Sequence, residues 1–175
     1  SETDKVVREV EELIRRLEEH SRRVVEKSER TNEEIERHSR DVIRRSKEIN
    51  DRIEELARNG VPEDDLRRLV KKNKEDNDRA LEEDKRLLDT DKEEIDRALK
   101  RDEEIVRRIK EEIDKKVTDK DKMKRLKEEL DKLLDDSRRL MKRLKDETDK
   151  ILDKSRDLLA KTKRESDRIL EEAER

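Results

Sequence analysis

Serine, histidine and aspartate together are the residue types of nucleophilic acyl transfer, and this chain sets them at repeated intervals. Histidine occurs at His20 and His38, 18 positions apart, and Asp84 and Asp102, like Ser137 and Ser155, keep the same spacing. If the chain folds back on itself twice, His20 falls level with Asp102 and Ser137, and His38 with Asp84 and Ser155. Both sets have the same His-to-Ser separation of 117 positions. A Ser-His-Asp triad would use the imidazole as base and the carboxylate to orient it. It would also need a nucleophile on an exposed turn, oxyanion donors and a substrate pocket. Here each candidate lies inside a helical pattern whose backbone N–H groups are already used, and the set occurs twice, as a copied layer would. The expectation is structural hydrogen bonding and no enzyme.

Other chemistry fares no better. One imidazole and one carboxylate per set fall short of the three or four ligands a metal site takes, and the two histidines would lie about 27 Å apart along a helix. No metal and no cofactor is expected. A pH response fits better, because each histidine pairs with an acid. Neutral imidazole would donate to aspartate and accept from serine; imidazolium cannot accept, so acid is expected to loosen both layers.

The elements that must position these residues follow from an 18-residue repeat, five turns of α-helix. Leu130 opens one copy (LDKLLDDSRRLMKRLKDE), Thr148 the next (TDKILDKSRDLLAKTKRE), and Ser166 a third. Apolar and small polar residues fill a stripe of about 120°, suited to burial against two neighbours. A heptad repeat would supercoil the helices left-handedly; 18 residues match nearly straight ones. Asn59-Gly60 marks one helix end, Pro62 the expected first position of the next helix, and Thr118 with Asp121 a capping pair for the third. The result is an all-α fold, a single domain over 1–175: an up-down-up antiparallel three-helix bundle with helices at about 3–57, 63–116 and 119–174, each roughly 80 Å long.

Composition limits the partners. Of 175 residues, 60% are charged and 27% hydrophobic, with 51 bases against 54 acids and no aromatic residue or cysteine. No basic tract invites a phosphate backbone, no ring offers a stacking platform, and no thiol offers a disulfide or zinc site. No run is apolar enough to span a bilayer, and SETDKVVREV lacks a signal-peptide core. The expectations are a soluble protein with no nucleic acid or membrane partner and no address label, its localisation unknown.

The same register groups further polar residues. Ser21 and Ser39 accompany the histidines. Ser28, Thr31 and Asn32 fall with Asp91 and Thr148; Ser46 and Asn50 fall with Asn73, Thr162 and Ser166. Unpaired, such groups would cost about 1–3 kcal/mol each, so each layer must close on itself. A closed layer penalises any slip of register.

The 18-residue repeat, the layered Ser, Thr, Asn, His and Asp sets, an alphabet without Gln, Cys or aromatics, and the loop Asn59-Gly60-Val61-Pro62 together resemble de novo designed parametric helical bundles with engineered buried hydrogen-bond networks. The resemblance implies a structural scaffold without natural activity, monomeric and requiring no partner. The alternative it leaves is an interaction module, part of a larger hetero- or homo-oligomeric bundle or switch.

Overall fold

The computed structural model describes residues 2–174. Three helices take up nearly all of them: α1 (Glu2–Arg58), α2 (Glu63–Lys116) and α3 (Lys120–Glu174). Each begins and ends within one residue of the span expected from the repeat. Strong helix formers fill the outward positions, and ion pairs one turn apart, such as Arg23–Glu19 at 2.9 Å and Arg58–Glu54 at 3.0 Å, add a few tenths of a kcal/mol each.

The first turn is fixed by backbone bonds. Gly60, at φ 80°, lets Val61 N–H reach the Leu56 carbonyl at 3.1 Å while its own N–H reaches Ala57 at 3.2 Å. This paired closure satisfies carbonyls the helix end leaves open, and Leu56 and Val61 pack on the same apolar cluster. Pro62, expected at the first helical position, stands one residue before α2 begins at Glu63: its carbonyl accepts the opening bonds of α2, from Asp65 at 3.0 Å and Leu66 at 3.2 Å. At the second turn the expected cap, Thr118, is replaced by its neighbour. Asp119 Oδ1 accepts from the N–H groups of Asp121 at 3.0 Å and Lys122 at 3.3 Å. A carboxylate there also meets the positive end of the α3 dipole, which a hydroxyl does not.

The chain divides into two compact units, each containing a segment of every helix. The first takes the residues up to Arg30 together with Asp91–Glu147. Its α1 contacts move down α2 as α1 advances, from Ser21–Asp102 to Ser28–Asp91, so these two helices are antiparallel. One cluster joins Val10, Ile14 and Leu17 to Ile113, Leu126 and Leu130; a second gathers Ile95, Met141 and Leu144, with Val24 and Val25 half-buried against them. Lysine–aspartate pairs close its α2–α3 seam: Lys110–Asp131, Lys127–Asp114, and Lys145–Asp96 at 2.6 Å.

The second unit takes Thr31–Thr90 and the residues from Thr148 onward. Here α1 and α3 run parallel, since Asn32, Ser39 and Asn50 meet Thr148, Ser155 and Ser166 in turn. Its apolar cluster is Ile53, Leu66, Val70 and Ile169. The α2–α3 seam carries Lys74–Asp167, Lys163–Asp78, and Arg67–Glu174 at 2.7 Å. In both units the lysine alternates between the two helices, and the pairs follow the repeat: Lys127, Lys145 and Lys163 on α3 meet Asp114, Asp96 and Asp78 on α2.

Candidate functional site

At four levels a buried polar side chain of α1 bonds one of α3 at the same distance along the chain. Ser21–Ser137 in the first unit, and Asn32–Thr148, Ser39–Ser155 and Asn50–Ser166 in the second, are each separated by 116 residues. The donor-to-acceptor distances are 3.3, 3.1, 2.6 and 2.6 Å. The sequence suggested 117, counted from the histidines, and this is a correction with a physical cause. Neighbouring residues on a helix point about 100° apart. Of each His-Ser pair, the small serine takes the centre and the bulkier imidazole turns to the rim. His20 keeps 38% and His38 44% of the side chain exposed, whereas Ser21 and Ser39 are buried.

In the first unit Ser21 Oγ lies 3.1 Å from Asp102 Oδ2 and 3.3 Å from Ser137 Oγ, joining all three helices. His20 Nδ1 is 3.3 Å from Asp102 Oδ1 but off the hydrogen-bond direction, and both atoms are buried with no hydrogen-bond partner. Further along, Ser28 Oγ donates to Asp91 Oδ2 at 2.8 Å, with Lys27–Glu94 bridging the same helices at the surface at 3.1 Å. Burial pushes the carboxyls of Asp102 and Asp91 above their ordinary value, while the serine hydrogen bonds pull the other way.

In the second unit His38 Nδ1 bonds Asp84 Oδ1 at 3.0 Å. An ionised carboxylate only accepts, so the ring nitrogen facing it carries the proton. Burial again raises the aspartate, opposed by His38. Thr31, expected inside a layer, is only partly buried, while Asn32 and Thr148 are buried and bond each other. The fullest network lies nearer the α1–α2 turn. Asn50 Nδ2 donates to the Thr162 carbonyl at 3.0 Å, and Asn50 Oδ1 accepts from Ser166 Oγ at 2.6 Å. Asn73 Nδ2 reaches Ser46 Oγ at 3.2 Å and Asn50 Oδ1 at 3.4 Å. Thr162 Oγ1 turns back to the Leu159 carbonyl at 2.8 Å. Asn77 also belongs here, donating to Ser46 Oγ at 2.8 Å. The sequence reading placed Asn73 at this level and not Asn77, which lies one turn further along α2.

Neither serine is presented to a base. Ser137 and Ser155 bond Ser21 and Ser39, not a histidine, so the imidazoles accept nothing from them. The expected loosening in acid loses its basis, because protonating either ring breaks no serine bond. Among the described residues no three metal-ligating side chains converge, and no helix is long and apolar enough to cross a membrane.

No protein-family model matches the chain, and comparison with curated proteins found no relative. Among solved structures it is similar to one described as a computationally designed three helix bundle. The TM-score is 0.54 at 16% sequence identity, over 98% of this chain and 85% of that one. The chain is a three-helix bundle. At this identity the likeness speaks for the bundle's fold alone.

Proposed function

We propose that this bundle is a designed structural scaffold, a single-chain domain without natural activity, whose buried polar layers specify the register of its helices. The single observation that carries the reading is the constant separation of 116 residues between bonded α1 and α3 side chains. Each such pair would be broken by sliding α3 along α1, and buried groups left unpaired cost about 1–3 kcal/mol each. The restricted alphabet, the 18-residue repeat in all three helices and the designed neighbour in fold support the designed origin.

The test replaces the Ser46, Asn50, Asn73, Asn77 and Ser166 network with alanine and leucine and follows helix pairing by NMR. Under this reading the variant stays helical but samples more than one register, with doubled or broadened amide signals. A single sharp set with unchanged interhelical contacts would refute it. Light scattering of the unaltered chain is expected to give a mass near 21.3 kDa.

A second reading, an interaction module that accepts a further helix, is supported by Ile49, Leu69 and Leu87, large apolar side chains left exposed.

A further inference from the structure

Asparagine occupies two kinds of place in this chain. Asn32, Asn50, Asn73 and Asn77 are buried inside helices, and each has its side-chain amide in a hydrogen bond. The residues that follow them are Glu33, Asp51, Lys74 and Asp78, all within the helical ladder that engages their backbone N–H groups. Asn59 differs on each count. It is exposed, it stands just past the end of α1 at Arg58, and the chain's single glycine follows it.

That setting favours a reaction of the chain with itself. The Gly60 nitrogen, on losing its proton, attacks the side-chain carbonyl carbon of Asn59. A new C–N bond closes a five-membered succinimide, and the side-chain nitrogen leaves as ammonia. Water then opens the ring at either carbonyl and leaves aspartate or isoaspartate. The sum is amide plus water to acid plus ammonia, with nothing oxidised or reduced. Three features of the turn permit it. A Cβ built on Gly60 would meet nothing within 4 Å, so the attacking nitrogen is unhindered. Its N–H is held by the Ala57 carbonyl at 3.2 Å, longer than the about 2.9–3.0 Å usual for such bonds. Helix ends also open at little cost, whereas freeing the N–H of Glu33 or Lys74 requires opening a helix interior.

We propose that Asn59-Gly60 is a self-modification site, converted to aspartate and isoaspartate through a succinimide when the end of α1 frays. The consequences fall on the turn itself. Either product sets a carboxylate at the negative end of the α1 dipole, in a chain whose formal net charge is already -3. Isoaspartate also lengthens the main chain by one carbon between the Cα of residue 59 and the Gly60 nitrogen. That displaces the Gly60 and Val61 N–H groups from the Ala57 and Leu56 carbonyls, the two bonds that close the turn. Modification therefore loosens the connection between α1 and α2.

The experiment incubates the full chain in mildly alkaline buffer, folded and in urea, followed by peptide mass mapping and isoaspartyl methyltransferase labelling. The folded chain is expected to gain an acid at position 59 as a mixture of isoaspartate and aspartate, while the four buried asparagines remain amides. Asn59→Gln, which must close a six-membered ring, is expected to slow the reaction at least tenfold and to melt with the parent. The isoaspartate form, separated by anion exchange, is expected to melt below both the parent and an Asn59→Asp chain. A folded chain that keeps Asn59 intact while the urea-unfolded chain converts it would overturn the proposal, because the turn would then be a lock. Aspartate as the sole product would mean direct attack of water on the amide, which overturns the cyclic route. Conversion of Asn32, Asn50, Asn73 and Asn77 at the rate of Asn59 would trace the reaction to global unfolding and overturn it equally.

Discussion

Asn50 Oδ1 accepts from Ser166 Oγ at 2.6 Å while Asn50 Nδ2 donates to the Thr162 carbonyl at 3.0 Å, so one amide fastens α1 to α3 through both of its ends. Asn73 from α2 reaches the same oxygen at 3.4 Å. Three helices thus depend on a side chain that is 2% exposed.

Asn50→Ala is therefore expected to be among the most damaging polar-to-apolar changes. It removes the two bonds that tie α1 to α3 at this level and one acceptor of Asn73, while Ser166 Oγ keeps its bond to the Thr162 carbonyl at 3.1 Å, and the expected loss is about 1–3 kcal/mol. Urea denaturation checks this; a loss below about 0.5 kcal/mol would show that the freed groups find water or each other.

Acidity should act through the three buried aspartates. Asp84, Asp91 and Asp102 are each raised by burial above the ordinary 3.8. A carboxyl raised in the folded state binds its proton more readily folded than unfolded. Stability therefore rises as pH falls through the raised value, and the gain is complete near 3.8. Exposed Glu12, Glu112 and Glu165, held low by basic neighbours, act in the opposite sense at lower pH, and weakly because water screens them. Asp91→Asn keeps an oxygen to accept from Ser28 and is expected to flatten part of the rise. Melting temperatures from pH 7 to pH 4 check it; parallel curves for parent and variant would contradict the assignment.

Gly60→Ala isolates backbone conformation. A Cβ there would meet nothing within 4 Å, so only the left-handed φ of 80° opposes it. A cost of about 1–2 kcal/mol is expected from that conformation alone. Equal stability by chemical denaturation would mean the turn can relax to another geometry.

Asp119→Ala removes the cap of α3 and is expected to cost about 1 kcal/mol. Thr118→Ala is expected to cost less, reversing the order the sequence suggests. Amide exchange at Asp121 and Lys122 gives the direct readout, since both N–H groups bond Asp119 Oδ1.

The all-α fold of three long helices was legible because an 18-residue period leaves little freedom in which face of a helix turns inward. Finer assignments were not. The pattern His20-Ser21 contains two polar residues within one stripe, and periodicity cannot say which takes the centre; size and the need of an imidazole for water decide it. Asn73 and Asn77 pose the same difficulty along the axis, being one turn apart and both able to reach Ser46. Asp119 displaced Thr118 as cap for a reason local to the turn, where which residue first leaves the helix cannot be read from apolar spacing. The exposure of Ile49 and Leu69 was invisible as well, because a stripe wide enough for two neighbours does not reveal which of its edge positions stays uncovered.

Within the second unit, the order of charge along the α2–α3 seam discourages near misses. Lys74 faces Asp167, and one turn later Asp78 faces Lys163. Displace α3 by one turn in one direction and Lys74 approaches Lys163; displace it the other way and Asp78 approaches Asp167. Mispaired intermediates one turn out on either side carry like charges face to face, so the surface helps reject errors before the interior has closed.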